Sequence, residues 1–147
     1  MVGGNNDVTE LYNFEDETWS FGGDYPTAVR YHSVSFFDGH FYSVGGMRHA
    51  DNAYLPTVAK YVDGRWETLT NGLNFGRGLL KTLVINDSLW VIGGVGDKLP
   101  DGQSGFNIPL EVCEFTDEGV DCKDKGNTYS GYATTFVVDE NFCTAQN

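Results

Sequence analysis

FFDGHFYSVGG, residues 36–46, and VINDSLWVIGG, residues 84–94, decide how this chain is read. Each is an apolar run, a two-residue turn, a second apolar run and a glycine pair. Asp38-Gly39 between apolar runs is the strongest short-range signal of a β-hairpin, and Asn86-Asp87 supplies related turn chemistry. Gly3-Gly4 opens the chain with a third glycine pair, and residues 137–147 begin the phrase again. Gly3, Gly45 and Gly93 stand 42 and 48 residues apart, a spacing characteristic of repeat architectures.

Working outward, the same logic covers most of the chain. Residues 9–14 and a strand around Trp19 flank an acidic turn at 15–17; residues 58–62 and 66–69 flank Asp63-Gly64. Residues 81–85 and 89–94 flank Asn86-Asp87, and residues 110–115 and 120–123 flank a turn at 117–119. Alternating apolar positions around each turn predict strands of an all-β protein, and no window carries the period of a long amphipathic helix. The long connections, 47–56 and 95–109, are expected as exposed excursions.

Of the 147 residues, 14% are aromatic and 19 are glycine against 4 prolines, a balance suited to short strands and tight turns. The net charge of −12, from 21 acidic and 9 basic residues, argues against nucleic-acid binding, which needs a basic face. No apolar stretch has the length of a membrane span, so no membrane insertion is expected; residues 1–10 lack a signal peptide's basic start and apolar core, which is expected either of an intracellular protein or of a sequence whose true N-terminus is missing.

Residues 30–46, RYHSVSFFDGHFYSVGG, together with DGRWETL at 63–69 and GRGLLKTLVINDSLWVIGG at 76–94, resemble the kelch repeat. The resemblance implies a kelch-type β-propeller segment of four-stranded antiparallel blades in an incomplete ring. The partial blade would occupy about 1–22, full blades about 30–70 and 79–124, and the start of a further blade about 132–147. Gly3, Gly4, Gly45, Gly46, Gly93, Gly94, Trp19, Tyr61 and Trp66 then become structural repeat positions, the tryptophans filling space between units. Missing blades would come from the rest of a longer chain or from a second copy closing the ring.

The function implied by that resemblance is a noncatalytic protein-interaction scaffold, with an unidentified protein or peptide held by rim loops. A fragment of a galactose-oxidase-like enzyme and a carbohydrate-binding propeller are the alternatives. Arg30, Tyr31, His32, Arg77 and Tyr129 are the rim candidates, since arginine and tyrosine anchor carboxylate-bearing or peptide ligands. For Arg30 and Arg77 the competing reading is a tie between strands through backbone carbonyls. His32, His40 and His49 lack metal-ligand spacing and no phosphate-binding glycine loop is present, so neither a metal nor a cofactor is expected, and no enzyme.

Cys113 and Cys122 flank the turn at 117–119 and would face each other across a hairpin, either as a disulfide or as two buried thiols. A disulfide favours a secreted setting over the cytoplasm. Asn86-Asp87-Ser88 is an N-glycosylation sequon on a turn, and Cys143 has no assigned mate.

Overall fold

The computed structural model describes residues 6–97 and 108–127. All regular structure in them is β. The chain enters through β1 (Glu10–Asn13) and β2 (Thr18–Phe21), an antiparallel pair joined by a four-residue turn. Asp16 shapes that turn by accepting hydrogen bonds from the Thr18 amide and hydroxyl. The short strands β3 (Val29–Arg30) and β6 (Met47–Arg48) pair with each other.

The first large sheet has the order β4-β5-β7-β8, from β4 (Ser33–Phe37), β5 (His40–Val44), β7 (Val58–Val62) and β8 (Arg65–Thr68). The second has the order β12-β11-β10-β9, from β9 (Lys81–Ile85), β10 (Ser88–Ile92), β11 (Pro109–Thr116) and β12 (Gly119–Asn127). Three of the hairpins close on two-residue turns with positive φ at both positions: Asp38-Gly39, Asp63-Gly64 and Asn86-Asp87. That backbone matches the right-handed twist of the flanking strands, and Gly, Asn and Asp reach it most easily.

The main core lies between the two large sheets. Tyr42, Val44 and Val58 of the first meet Leu89, Val91 and Cys113 of the second, with Leu73 and Leu80 from the connection between them. Phe37 stacks on Phe115 at 4.2 Å between ring centroids. A hydroxyl cluster joins β4 to β9, where Ser35 Oγ donates to Thr82 Oγ1 at 2.7 Å and the Thr82 amide donates to Ser33 Oγ. A smaller core of Tyr25, Val29 and Ala59 backs the first sheet, with Trp66 packed against it.

The kelch-type propeller expected from the repeat is corrected by this architecture. The described residues form four separate open sheets, two of four strands and two of two, and none closes into a propeller ring. The physical reason is that glycine pairs and turn residues specify hairpins one at a time. They do not specify how successive sheets are disposed, which is decided here by the apolar faces that share a core. The scaffold, enzyme and carbohydrate-binding functions that depended on the ring fall with it.

The glycine pair at 45–46 has its own cause. Both residues have positive φ, and a Cβ on Gly46 would meet Val29 Cγ2 at 2.6 Å. The Gly46 amide donates to Arg77 O at 2.7 Å, so two backbones approach here more closely than a side chain permits.

Candidate functional site

A groove of about 360 Å³ runs beside β1, within the range of ligand-binding clefts. Four consecutive residues, Thr9–Tyr12, form one wall. Adjacent strand residues point to opposite faces, so a wall of consecutive residues means that the groove follows the edge of the strand rather than one of its faces. Val34 and Phe41 of the first large sheet stand in the other wall, with Tyr61 and Trp66 completing the lining.

An exposed apolar face of the β1–β2 hairpin adjoins the groove. Tyr12 pairs with Trp19 across the hairpin, and Phe21 lies opposite Glu10, placing Tyr12, Trp19 and Phe21 on one face beside an acidic side chain. Trp19 remains 59% exposed, Phe21 79% and Phe14, in the turn, 86%. Val34, Phe36 and Phe41 continue the exposed apolar surface on β4 and β5, where the Phe36 and Phe41 rings pack at a tilt, 5.0 Å between centroids. β1 has a strand partner on one edge only among the described residues. The hairpin is nonetheless held in place: Trp66 Nε1 donates to Thr9 Oγ1 at 2.9 Å, and the Gly23 amide donates to Gly64 O at 2.8 Å.

The residues singled out from sequence are dispersed. Arg77 is fully buried, as is Glu111, and the two form an ion pair. Arg77 Nη1 also donates to Gly93 O at 3.2 Å and Pro109 O at 2.9 Å, while Glu111 Oε2 accepts the Asn74 amide at 2.8 Å. Burial pushes the Arg77 guanidinium below its ordinary range and the Glu111 carboxyl above its own, and their mutual attraction opposes both shifts. This arginine ties strands together, and a rim-binding role for it is corrected.

Arg30 reaches Asn52 Oδ1 at 2.5 Å and lies over the Tyr31 ring, 5.3 Å from its centroid. Tyr31 is 47% exposed, whereas His32 stacks on the buried Tyr25 at 6.2 Å. These three residues do not line the groove. Trp66 and Tyr61 pack together at 5.1 Å, but Trp19 lies on the open face instead of filling space between sheets, which corrects its expected structural role. Gly93 and Gly94 repeat the positive-φ geometry of Gly45 and Gly46. Asn86 is exposed at its turn. Tyr129, Gly3, Gly4 and Cys143 lie outside the described residues.

Cys113 and Cys122 are joined by a disulfide between directly opposed positions of β11 and β12. Such a bond fits an oxidising environment. No helix among the described residues is long and apolar enough to cross a membrane.

Sequence reasoning missed the groove-lining Leu11, Val34 and Phe41 and the buried Glu111. The signal for Glu111 was present: one acidic residue within the otherwise apolar run IPLEVC, residues 108–113. A charge in such a run needs a buried partner.

No family model matches the chain. It is similar to Protein C13 of Swinepox virus (strain Kasza), 30% identical over 89 residues. The match covers 58% of this chain and 18% of that protein, so the chain spans a small part of the curated relative's length.

Proposed function

We propose that this chain is a noncatalytic recognition module that accepts an extended segment of a partner protein, basic and apolar in alternation, along the edge of β1. The observation that carries this reading is the groove itself, whose wall of consecutive β1 residues offers strand edge and side chains together. A segment lying there adds as a strand, its backbone pairing with β1 and its alternate side chains meeting Leu11, Val34 and Phe41 on one side. Its other side chains face solvent near Glu10 and the acidic turn Glu15, Asp16 and Glu17, on a chain whose net charge is −12. That charge selects lysine or arginine at those positions and speeds encounter at low salt.

A recognition role is favoured over catalysis because the buried charged pair Arg77–Glu111 lies inside the core, away from the groove lining. The Cys113–Cys122 disulfide supports a secreted or extracellular setting for this recognition. Recovery of the bond from protein kept under alkylating conditions during cell lysis checks that point, and two alkylated thiols would contradict it.

The experiment is a titration of the chain with a synthetic peptide of alternating valine and lysine, followed by tryptophan fluorescence. Binding that weakens with salt and is lost in Phe41→Ser supports the reading. Equal affinity for a valine and glutamate peptide contradicts it, as does no binding. Removal of residues 128–147 leaves the affinity unchanged on this account. A marked gain on truncation means that the chain's own tail fills the groove, and concentration-dependent self-association that blocks the peptide means that a second copy does; either result overturns the proposal.

A further inference from the structure

The disulfide belongs to a second constellation, separate from the groove. Cys113 lies directly opposite Cys122, and two residues along the same strands Glu111 lies opposite Asp124. Residues two apart on a strand share a face, so the four side chains form two adjacent rungs on one face of the β11–β12 hairpin. One ligand atom each from Glu111, Cys113 and Cys122 already lies within 4.8 Å of the others. Glu111 and Cys113 are buried, Cys122 is half-buried and Asp124 is exposed, which leaves the constellation open on one side.

We propose that these four residues form a redox-gated site for a thiophilic divalent cation of the zinc class, closed while the disulfide is intact and available once it is reduced. Two thiolates and two carboxylates make a tetrahedral donor set suited to such an ion, with metal–sulfur distances of about 2.3 Å and metal–oxygen distances of about 2.0–2.2 Å. Those lengths place neighbouring donors about 3.3–3.8 Å apart, against the 4.8 Å within which Glu111, Cys113 and Cys122 already present theirs. Glu111 is held by Arg77 and by the Asn74 and Phe75 amides, which leaves its carboxylate one lone pair for the ion. Such outer contacts orient a ligand and tune its basicity. The two thiolates balance the charge of the ion, so the guanidinium keeps its own counter-charge.

The gating step balances with a dithiol reductant. The reductant supplies two electrons and two protons, its sulfurs join to each other, the Cys113–Cys122 bond breaks, and two thiols result. The cation then displaces the two thiol protons to solvent, with no change in its own oxidation state.

The test uses the whole chain under inert gas. A phosphine reductant takes the place of the dithiol, ending as the phosphine oxide with oxygen from water. Co2+ serves as the probe, because thiolate coordination gives it a charge-transfer absorption, and Zn2+ is then added to displace it. The expected result is a thiolate–cobalt spectrum that appears only after reduction, saturates at about one ion per chain and is abolished by Zn2+. Cys122→Ser removes it, and Asp124→Asn, an exposed change that spares the core, weakens affinity about 10-fold or more. Absence of the spectrum in reduced chain whose far-ultraviolet dichroism is unchanged overturns the proposal. So does loss of the fold on reduction, or a spectrum that survives Cys122→Ser.

Discussion

Replacing Arg77 by Met tests whether the buried ion pair organises the junction between the two large sheets. The substitution keeps much of the side-chain volume but leaves the Glu111 carboxylate enclosed without its cation, and it removes the hydrogen bonds to Gly93 O and Pro109 O. Stranding one partner of a buried pair costs roughly 3–5 kcal/mol, and the lost carbonyl contacts about 1 kcal/mol each. Against the 5–15 kcal/mol typical of a whole domain, that is a large share. Glu111→Gln strands the Arg77 guanidinium in turn, since its one amide oxygen cannot serve both Arg77 and the Asn74 amide; the bonds to Gly93 O and Pro109 O remain, so only the stranding cost applies. In the double variant Arg77→Met, Glu111→Gln no charge is stranded, and the cost falls well below the sum of the single changes. Urea unfolding at fixed pH, with the slope checked for constancy, measures all of these. Single changes costing under about 1 kcal/mol, or strict additivity in the double variant, would refute the reasoning.

Other expectations follow from individual contacts. Gly46→Ala places a methyl group against Val29 in a backbone of positive φ and lowers stability by about 1–3 kcal/mol, read as a drop in Tm. Trp66→Phe loses the hydrogen bond to Thr9 and loosens the hairpin, costing about 1 kcal/mol and speeding hydrogen exchange at Gly22 and Gly23. Removing the short-loop disulfide by Cys113→Ala with Cys122→Ala costs about 2–3 kcal/mol in chemical denaturation. The Asp51 carboxyl is held below its ordinary range, first by the Arg48 side-chain hydrogen bond and then by the Ala53 amide. Its contribution to stability is therefore present above the ordinary aspartate range and fades as pH falls through the depressed value; Arg48→Gln returns its NMR titration toward that range.

Turn chemistry made the hairpins legible. Asp38-Gly39 and Asp63-Gly64 each fix a two-residue turn with positive φ, and the apolar alternation on either side fixes which residues face the core. The relation between sheets was not legible, because Phe37 and Phe115 meet through a contact that no local pattern encodes. Arg77 reads as an exposed loop residue within GRG, and only the folded chain brings Glu111 to it across 34 positions. The groove was hidden for a related reason. Val34 and Phe41 have the alternation of core residues, and sequence alone gives no sign that this face lacks a covering layer.

Hydrogen exchange with and without the valine and lysine peptide tests the central claim most directly, since strand addition must protect backbone amides on the edge it uses. The account predicts slowed exchange concentrated in residues 9–13 of β1 and its approach, reversed by high salt and absent with the valine and glutamate peptide. Protection centred on Arg30 and Tyr31, or saturable binding that leaves β1 exchange unchanged, would contradict it.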